Sequence, residues 1–231
     1  MLFVTGTGTE VGKTVVTAAL AALGLQRGPV AVVKPAQTGV AYDEPGDLAE
    51  VERLAGPVSG HELARYPDPL SPAAAARLSG RPALDPAVLY DLLLSLREDL
   101  VLIEGAGGLL VRYDEDGLTL AEMARALRAR VLVVVDPALG TLNHTALTLE
   151  ALAHRGVQLE GLVLGSWPAE PGLAERSNLR DLEMLAARPL LGALPAGAAR
   201  ASDFLGLARA SLSPQLGGSW DARAFRARWD A

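Results

Sequence analysis

The chain has 231 residues, half of them hydrophobic, with a formal net charge of -6 and no cysteine. That length suits one α/β domain spanning 1–231 with a sizeable core, and the lack of cysteine excludes a disulfide framework and thiol chemistry. The acidic balance argues against nucleic acid as a partner. No apolar run reaches the roughly 18 residues of a bilayer span, and Met1-Leu2-Phe3-Val4 carries no basic leader, so a cytoplasmic protein without a membrane partner is expected.

Short β-branched runs alternate with stretches of helical period, which predicts βα units, a mostly parallel sheet and helices on both faces. The first predicted strand, Leu2 to Thr5, runs into Gly6-Thr7-Gly8-Thr9-Glu10-Val11-Gly12-Lys13-Thr14 and a helix from Lys13 to Gln26. Strand, glycine-rich turn, Gly-Lys-Thr and immediate helix are the parts of a phosphate loop. Backbone N–H groups cradle the phosphates, Lys13 neutralises the β and γ oxygens, and the Thr14 hydroxyl takes Mg²⁺. Five residues, not the common four, separate Gly6 from Gly12.

The second predicted strand, Val30 to Lys34, ends on the only other lysine, at the head of Lys34-Pro35-Ala36-Gln37-Thr38-Gly39. Nineteen of the 21 basic residues are arginine. A compact ammonium kept only at two glycine-flanked strand ends points to an anion site for Lys13 and Lys34, because a planar guanidinium does not replace it where geometry is tight. Thr38 is read as facing the same anion or polar substrate.

A helix is predicted from Asp47 to Ala55, and composition favours Asp47 as its cap over a metal ligand. Gly56 to Pro72, rich in Pro and Gly, reads as a loop insertion. A helix over Pro86 to Arg97 precedes the strand Leu100 to Glu104, and Gly105-Ala106-Gly107-Gly108 then lets a ligand approach the backbone closely. After a helix over Thr119 to Leu127, the strand Val131 to Asp136 also ends in an acid. Ligands of parallel sheets bind beyond the carboxyl ends of strands, so Glu104 and Asp136 are both candidates for Mg²⁺; Asp136 serves equally well as a loop cap. Gly140-Thr141-Leu142-Asn143-His144 opens a helix over Thr141 to Arg155, either an ordinary Thr-capped helix or one whose N-terminal amides hold a carboxylate. The strand Leu159 to Leu164, the helix Leu173 to Ala187 and the strand Leu190 to Leu194 follow. His61, His144 and His154 are too scattered for a metal cluster. After Pro195 the pattern loosens, and Trp220, Phe225 and Trp229 read as a packing anchor.

With these motifs in this order the chain resembles the dethiobiotin synthetase family, the ATP-dependent ligases of biotin biosynthesis. The resemblance rests on Phe3 to Thr14, Lys34-Pro35 with Thr38-Gly39, Glu104 to Gly108, and Leu139 to His144, and more weakly on Leu191-Gly192-Ala193-Leu194-Pro195. The five-residue gap in the phosphate loop is that family's habit. The resemblance implies a homodimeric phosphate-loop fold acting on 7,8-diaminononanoate, CO₂ (bicarbonate) and MgATP. One amine takes up CO₂ as a carbamate, which attacks the γ-phosphate to give a carbamic-phosphoric anhydride; the second amine then closes the ureido ring. It further implies Lys13, Lys34 and Thr9 as catalytic. Nucleotide binding falls to Glu10, Val11, Gly12, Lys13, Thr14, Val15, Asp47, Glu104, Gly105, Ala106, Gly107, Gly165, Ser166 and Pro195. Substrate contacts fall to Thr9, Lys34, Thr38, Gly108, Gly140 and Asn143, the last two from the partner subunit. Thr14, Asp47 and Glu104 hold Mg²⁺, which moves Asp47 from cap to ligand.

Two positions depart from the family pattern. Gly8 stands where Asp is common, which removes a charge. Gly165 stands where an Asn commonly reads adenine, so weak base selection is expected and other nucleoside triphosphates should serve along with ATP. A dimeric switch ATPase of the partition or cell-division type is the rival reading. Such proteins place a second lysine five residues before the loop lysine, where this chain has Gly8.

Overall fold

The structure, a computed structural model, describes residues 1–229. In chain order, β1 (Leu2–Gly6) leads to α1 (Lys13–Gly24), β2 (Val30–Lys34), the short β3 (Gln37–Thr38) and α2 (Asp47–Ala55). Then come β4 (Ser59–Glu62), β5 (Arg65–Tyr66), α3 (Pro72–Ser79), α4 (Pro86–Ser95), β6 (Leu100–Gly108), α5 (Leu120–Ala126) and β7 (Arg130–Val135). The chain continues through α6 (Thr141–His154), β8 (Leu159–Trp167), α7 (Leu173–Ala186), β9 (Gly192–Pro195), α8 (Phe204–Ser211) and α9 (Ala222–Trp229). Seven strands form one sheet in the order β4-β2-β6-β1-β7-β8-β9, each neighbouring pair parallel.

The central strands are apolar at nearly every position because both faces are covered. The pleat sorts their side chains into two cores. Phe3, Val33, Ile103, Val131 and Val133 enter the layer with α3 to α7, and Val4, Val32, Leu102, Leu132 and Val134 the layer with α1, α2 and α8. Helices therefore cover both faces of the sheet, as the α/β reading expects.

Three expectations need correcting. Gly56 to Pro72 is not a plain loop: Ser59–Glu62 pairs with β2 as the sheet edge, and Arg65–Tyr66 pairs with Gln37–Thr38 in a separate two-stranded sheet. Both strands are short and, Tyr66 apart, consist of glycine and polar or charged residues, so neither has the hydrophobic alternation that marks a strand. The helices α3, α8 and α9 have no counterpart in the sequence reading. Strand β6 runs on past Glu104 to Gly108, and strand β8 runs three residues further than expected, to Trp167. It carries an extra residue there: Leu164 pairs with Ala193, but Trp167 pairs with Pro195. That bulge turns Trp167 into the layer of α7 and α9. Its ring lies 5.2 Å from Phe225 and 5.8 Å from Trp229, and Trp220 packs 5.2 Å from Phe225. The aromatic tail is thus the packing anchor expected. Among the described residues no helix is long and apolar enough to cross a membrane.

Candidate functional site

Strands β2, β6 and β1 are neighbours in the sheet, so the chain segments leaving their carboxyl ends meet at one edge, where sheet ligands bind. A cavity of about 480 Å³ opens there. Its walls include Thr9, Glu10, Gly12, Lys13, Thr14, Val15, Lys34, Thr38, Asp47, Glu104, Gly105, Ala106 and Gly107.

The loop from Thr7 to Gly12 is held at both ends. The Thr7 N–H donates to the Val134 carbonyl at 3.1 Å, and Gly12, with φ +93°, makes the left-handed entry to α1. Lys13 curls back over the loop and its Nζ donates to the Gly8 carbonyl at 2.7 Å. Burial, with Lys34 close by, pushes the Lys13 ammonium down to about 8 from its ordinary 10.5. An arriving phosphate would supply the countercharge this lysine lacks.

Lys34 has the opposite environment. Its side chain is 4% exposed and its Nζ donates to Glu104 Oε1 at 2.9 Å and to the Gly105 carbonyl at 3.3 Å, and it also pairs with Asp47. Burial works against its charge, but Glu104 and Asp47 outweigh burial and hold it above the usual lysine range. The Thr14 hydroxyl donates to the same Glu104 Oε1 at 2.9 Å. The other oxygen, Glu104 Oε2, is buried with no hydrogen-bond partner. A buried carboxylate oxygen left bare is costly, and a cation answers that need. Thr14, Asp47 and Glu104 offer a hydroxyl and two carboxylates, the hard donor set of a Mg²⁺ that keeps most of its waters.

Asp47 is not the cap that composition favoured. Gly46 is the N-cap of α2 and offers no side chain; the Asp47 N–H instead donates to Gln37 Oε1 at 2.9 Å. Asp136 stays apart from the cavity: it is exposed, and its Oδ1 accepts from the Ala138 N–H at 2.9 Å, so it caps its own loop. The remaining predicted site residues lie elsewhere on the same edge. Gly108 lines a separate hollow with Thr7, Leu109 and Leu147. Gly140 is the N-cap of α6, with Asn143 exposed in its first turn, so the Thr-capped alternative does not hold. Ser166 and Pro195 are exposed at the ends of β8 and β9.

Residues 1–199 match a family model described as an AAA domain. The ATP-dependent dethiobiotin synthetase BioD of Frankia casuarinae is 63% identical over 99% of this chain and 98% of its own length. That of Saccharopolyspora erythraea is 60% identical, over 95% and 98%. The chain belongs to the dethiobiotin synthetase family. Membership makes it an ATP-binding ligase of biotin biosynthesis. Among solved structures, the ParA family ATPase from Chlorobium tepidum aligns with a TM-score of 0.53 at 16% identity, covering 94% of this chain and 93% of that one. The septum site-determining protein MinD complexed with Mg-ADP from Pyrococcus horikoshii gives 0.50 at 20% identity, covering 84% and 80%. At such identities the likeness shows the phosphate-loop α/β fold alone.

The two departures from the dethiobiotin synthetase pattern differ physically. A Cβ added to Gly8 meets nothing within 4 Å, so an aspartate there would change the charge without a steric obstacle. A Cβ on Gly165 would lie 1.8 Å from the Val11 carbonyl oxygen, and one on Gly12 would lie 2.7 Å from the Gly165 oxygen. The phosphate loop therefore rests directly on the backbone of β8. Sequence reasoning also missed the supports of the site. The buried Tyr113 hydroxyl accepts from the Ala106 N–H at 2.7 Å and fixes the glycine-rich end of β6. Asn178 Nδ2 donates to the Pro137 carbonyl at 2.9 Å and ties the loop after β7 to α7. Neither belongs to a motif; each is a single polar residue made important by its burial.

Proposed function

We propose that this chain closes the ureido ring of dethiobiotin from 7,8-diaminononanoate, CO₂ and MgATP, releasing ADP and phosphate, as a single domain over 1–231 acting in the cytoplasm. The observation that carries this reading is the cluster of buried Lys13, Lys34 and Glu104 with half-buried Thr14 and Asp47, at the carboxyl side of three adjacent strands, in a chain 63% identical to a dethiobiotin synthetase.

One substrate amine attacks CO₂ and loses a proton, giving a carbamate. A carbamate oxygen attacks the γ-phosphorus and ADP leaves, forming the carbamic-phosphoric anhydride. The second amine attacks the carbonyl carbon, expels phosphate and loses a proton as the ring closes. Phosphoryl transfer asks for positioning and charge neutralisation. Lys13 neutralises the β and γ oxygens, and Lys34, held by Glu104, flanks the transferring group on the carbamate side. Thr9 and Thr38 hold the carbamate and amine ends. Ring closure joins two ends of one bound molecule and exploits proximity in place of a strong base. Thr14, Asp47 and Glu104 would hold Mg²⁺, which supplies countercharge on the phosphates.

Glu10, Val11, Gly12, Val15 and Gly105 to Gly107 border the nucleotide, with Gly165, Ser166 and Pro195 toward the base. A second copy of the chain completes the site. Exposed Leu110 and Leu147 rim an apolar hollow of about 310 Å³ beside Gly108, and the partner's Gly140 to Asn143 segment receives the substrate carboxylate.

The test is phosphate release from MgATP and bicarbonate, with and without the diamine, together with the product mass. Diamine-dependent release with a product of dethiobiotin mass is expected. Release indifferent to the diamine would overturn the reading in favour of a switch ATPase.

A further inference from the structure

Asp47 reaches the site at the end of an eight-residue excursion, Gly39 to Gly46, that has no regular structure. Two side chains outside that excursion fix where it ends. Gln37, 4% exposed, sits at the start of the excursion. Its Nε2 donates to the Thr38 carbonyl at 3.2 Å, which orients the amide so that Oε1 accepts from the Asp47 N–H at 2.9 Å. That N–H is one of the orphan donors of α2, and the Gly46 cap has nothing to offer it. Gln37 therefore caps the helix from ten residues away.

Arg65 holds the middle of the excursion. Its Nη1 donates to the carbonyls of Ala41 and Glu44 at 2.8 and 2.7 Å. Its Nε and Nη2 grip the Glu62 carboxylate at 2.6 and 2.8 Å. This uses the planar fork of a guanidinium, which a lysine does not provide. Gly46 is required by the same assembly: a Cβ there would lie 2.8 Å from both Arg65 Nη2 and Gln37 Oε1. The Arg81 guanidinium lies 4.2 Å above the Tyr42 ring and steadies the tip. Strands β4 and β5 thus buttress the arm that carries Asp47.

We infer that Gln37 and Arg65 are positioning residues that set the Asp47 carboxylate against Lys34 and the metal site. This rests on the proposed reading of Asp47 as a ligand of Mg²⁺. Supporting residues behind metal ligands typically change metal affinity by about 10- to 100-fold when removed.

The experiment titrates Mn²⁺ into the protein with β,γ-imido-ATP, read by electron paramagnetic resonance, for wild type, Gln37→Leu, Asp47→Asn and the double variant. Gln37→Leu is expected to weaken Mn²⁺ about tenfold and to add nothing once Asp47→Asn is present, since it acts through that residue. Arg65→Lys, a second variant with its own charge retained, should weaken Mn²⁺ in the same way. If Asp47→Asn leaves Mn²⁺ affinity unchanged, the metal reading falls and the inference with it. If Asp47→Asn weakens binding but Gln37→Leu is silent, or its loss adds in full to that of Asp47→Asn, the inference alone is overturned.

Discussion

The two halves of the site are built by different means. The phosphate-loop half is contiguous: nine residues from Gly6 to Thr14 supply the turn, the lysine and the hydroxyl, and the helix that follows supplies the amides. The half opposite is assembled. Lys34 ends one strand, Glu104 lies in another, and Asp47 is brought to them by Gln37 and Arg65. The halves also differ electrostatically. Lys13 is buried without a carboxylate on its ammonium, whereas Lys34 is buried between two. One half is a receptor short of its anion, and the other is neutralised in advance.

The sharpest way to break this contrast is Lys34→Arg. The slot between Glu104 and Asp47 fits an ammonium, and a guanidinium would carry the same charge to a different place. Turnover should fall by about 10³-fold or more with the fold intact, measured as phosphate release beside a thermal melt. Near-normal activity would mean that the two-lysine pattern is compositional accident.

Lys13→Met tests the other half through stability. Lys13 titrates at about 8 when folded against an ordinary 10.5. Between those values the unfolded chain binds more protons, so this group makes stability rise with pH across that window. Below about pH 8 the folded state carries the full penalty, roughly 3 kcal/mol. Lys13→Met should therefore abolish nucleotide binding yet raise Tm at pH 7, by roughly 2–4 °C per kcal/mol. The gain should shrink to nothing by about pH 10.5. Lys34 titrates in the opposite sense, holding its proton beyond that window, and does not blur it. A variant less stable than wild type at pH 7 would refute the picture of an uncompensated charge.

Asp47→Asn and Asp136→Asn sharpen the comparison further. Asp47→Asn should raise the Mg²⁺ needed for half-maximal activity by about 10-fold or more, and Asp136→Asn, a turn cap, should leave it nearly unchanged. A greater loss with Asp136→Asn would reverse the assignment. The smallest expected effect concerns the base. CTP and GTP should support turnover comparable to ATP. A preference for ATP above roughly a hundredfold, about 2.7 kcal/mol, would sink the weak-selection reading of Gly165.

What was legible in the sequence follows the same division. The phosphate loop, Lys34 at the end of β2 and Glu104 in β6 could be read because apolar runs and glycines mark them locally. The brace could not. Gln37, Glu62 and Arg65 are ordinary polar residues, and only the pairing of Gln37 with Arg65 and of Thr38 with Tyr66 makes them a unit. Strand β4 failed the pattern test because its residues, Ser59 to Glu62, are mostly polar and half-exposed at a sheet edge. Asp47 was misread from composition for a related reason. An acid after Pro-Gly looks like a cap, and nothing local reveals that a glutamine ten residues earlier already holds that helix end.

The contact between Gly12 and Gly165 has a consequence for how this sequence can change. Loop and strand touch backbone to backbone, with no side chain between them to trim. An asparagine introduced at 165 would need the Val11 carbonyl to move first, and that carbonyl belongs to the loop that cradles the phosphates. Placing an amide that reads the base at 165 would thus disturb the phosphate loop as well. The proposed breadth in nucleotide choice is therefore tied to how closely the loop packs on the strand, so base selection and phosphate-loop geometry would have to change together.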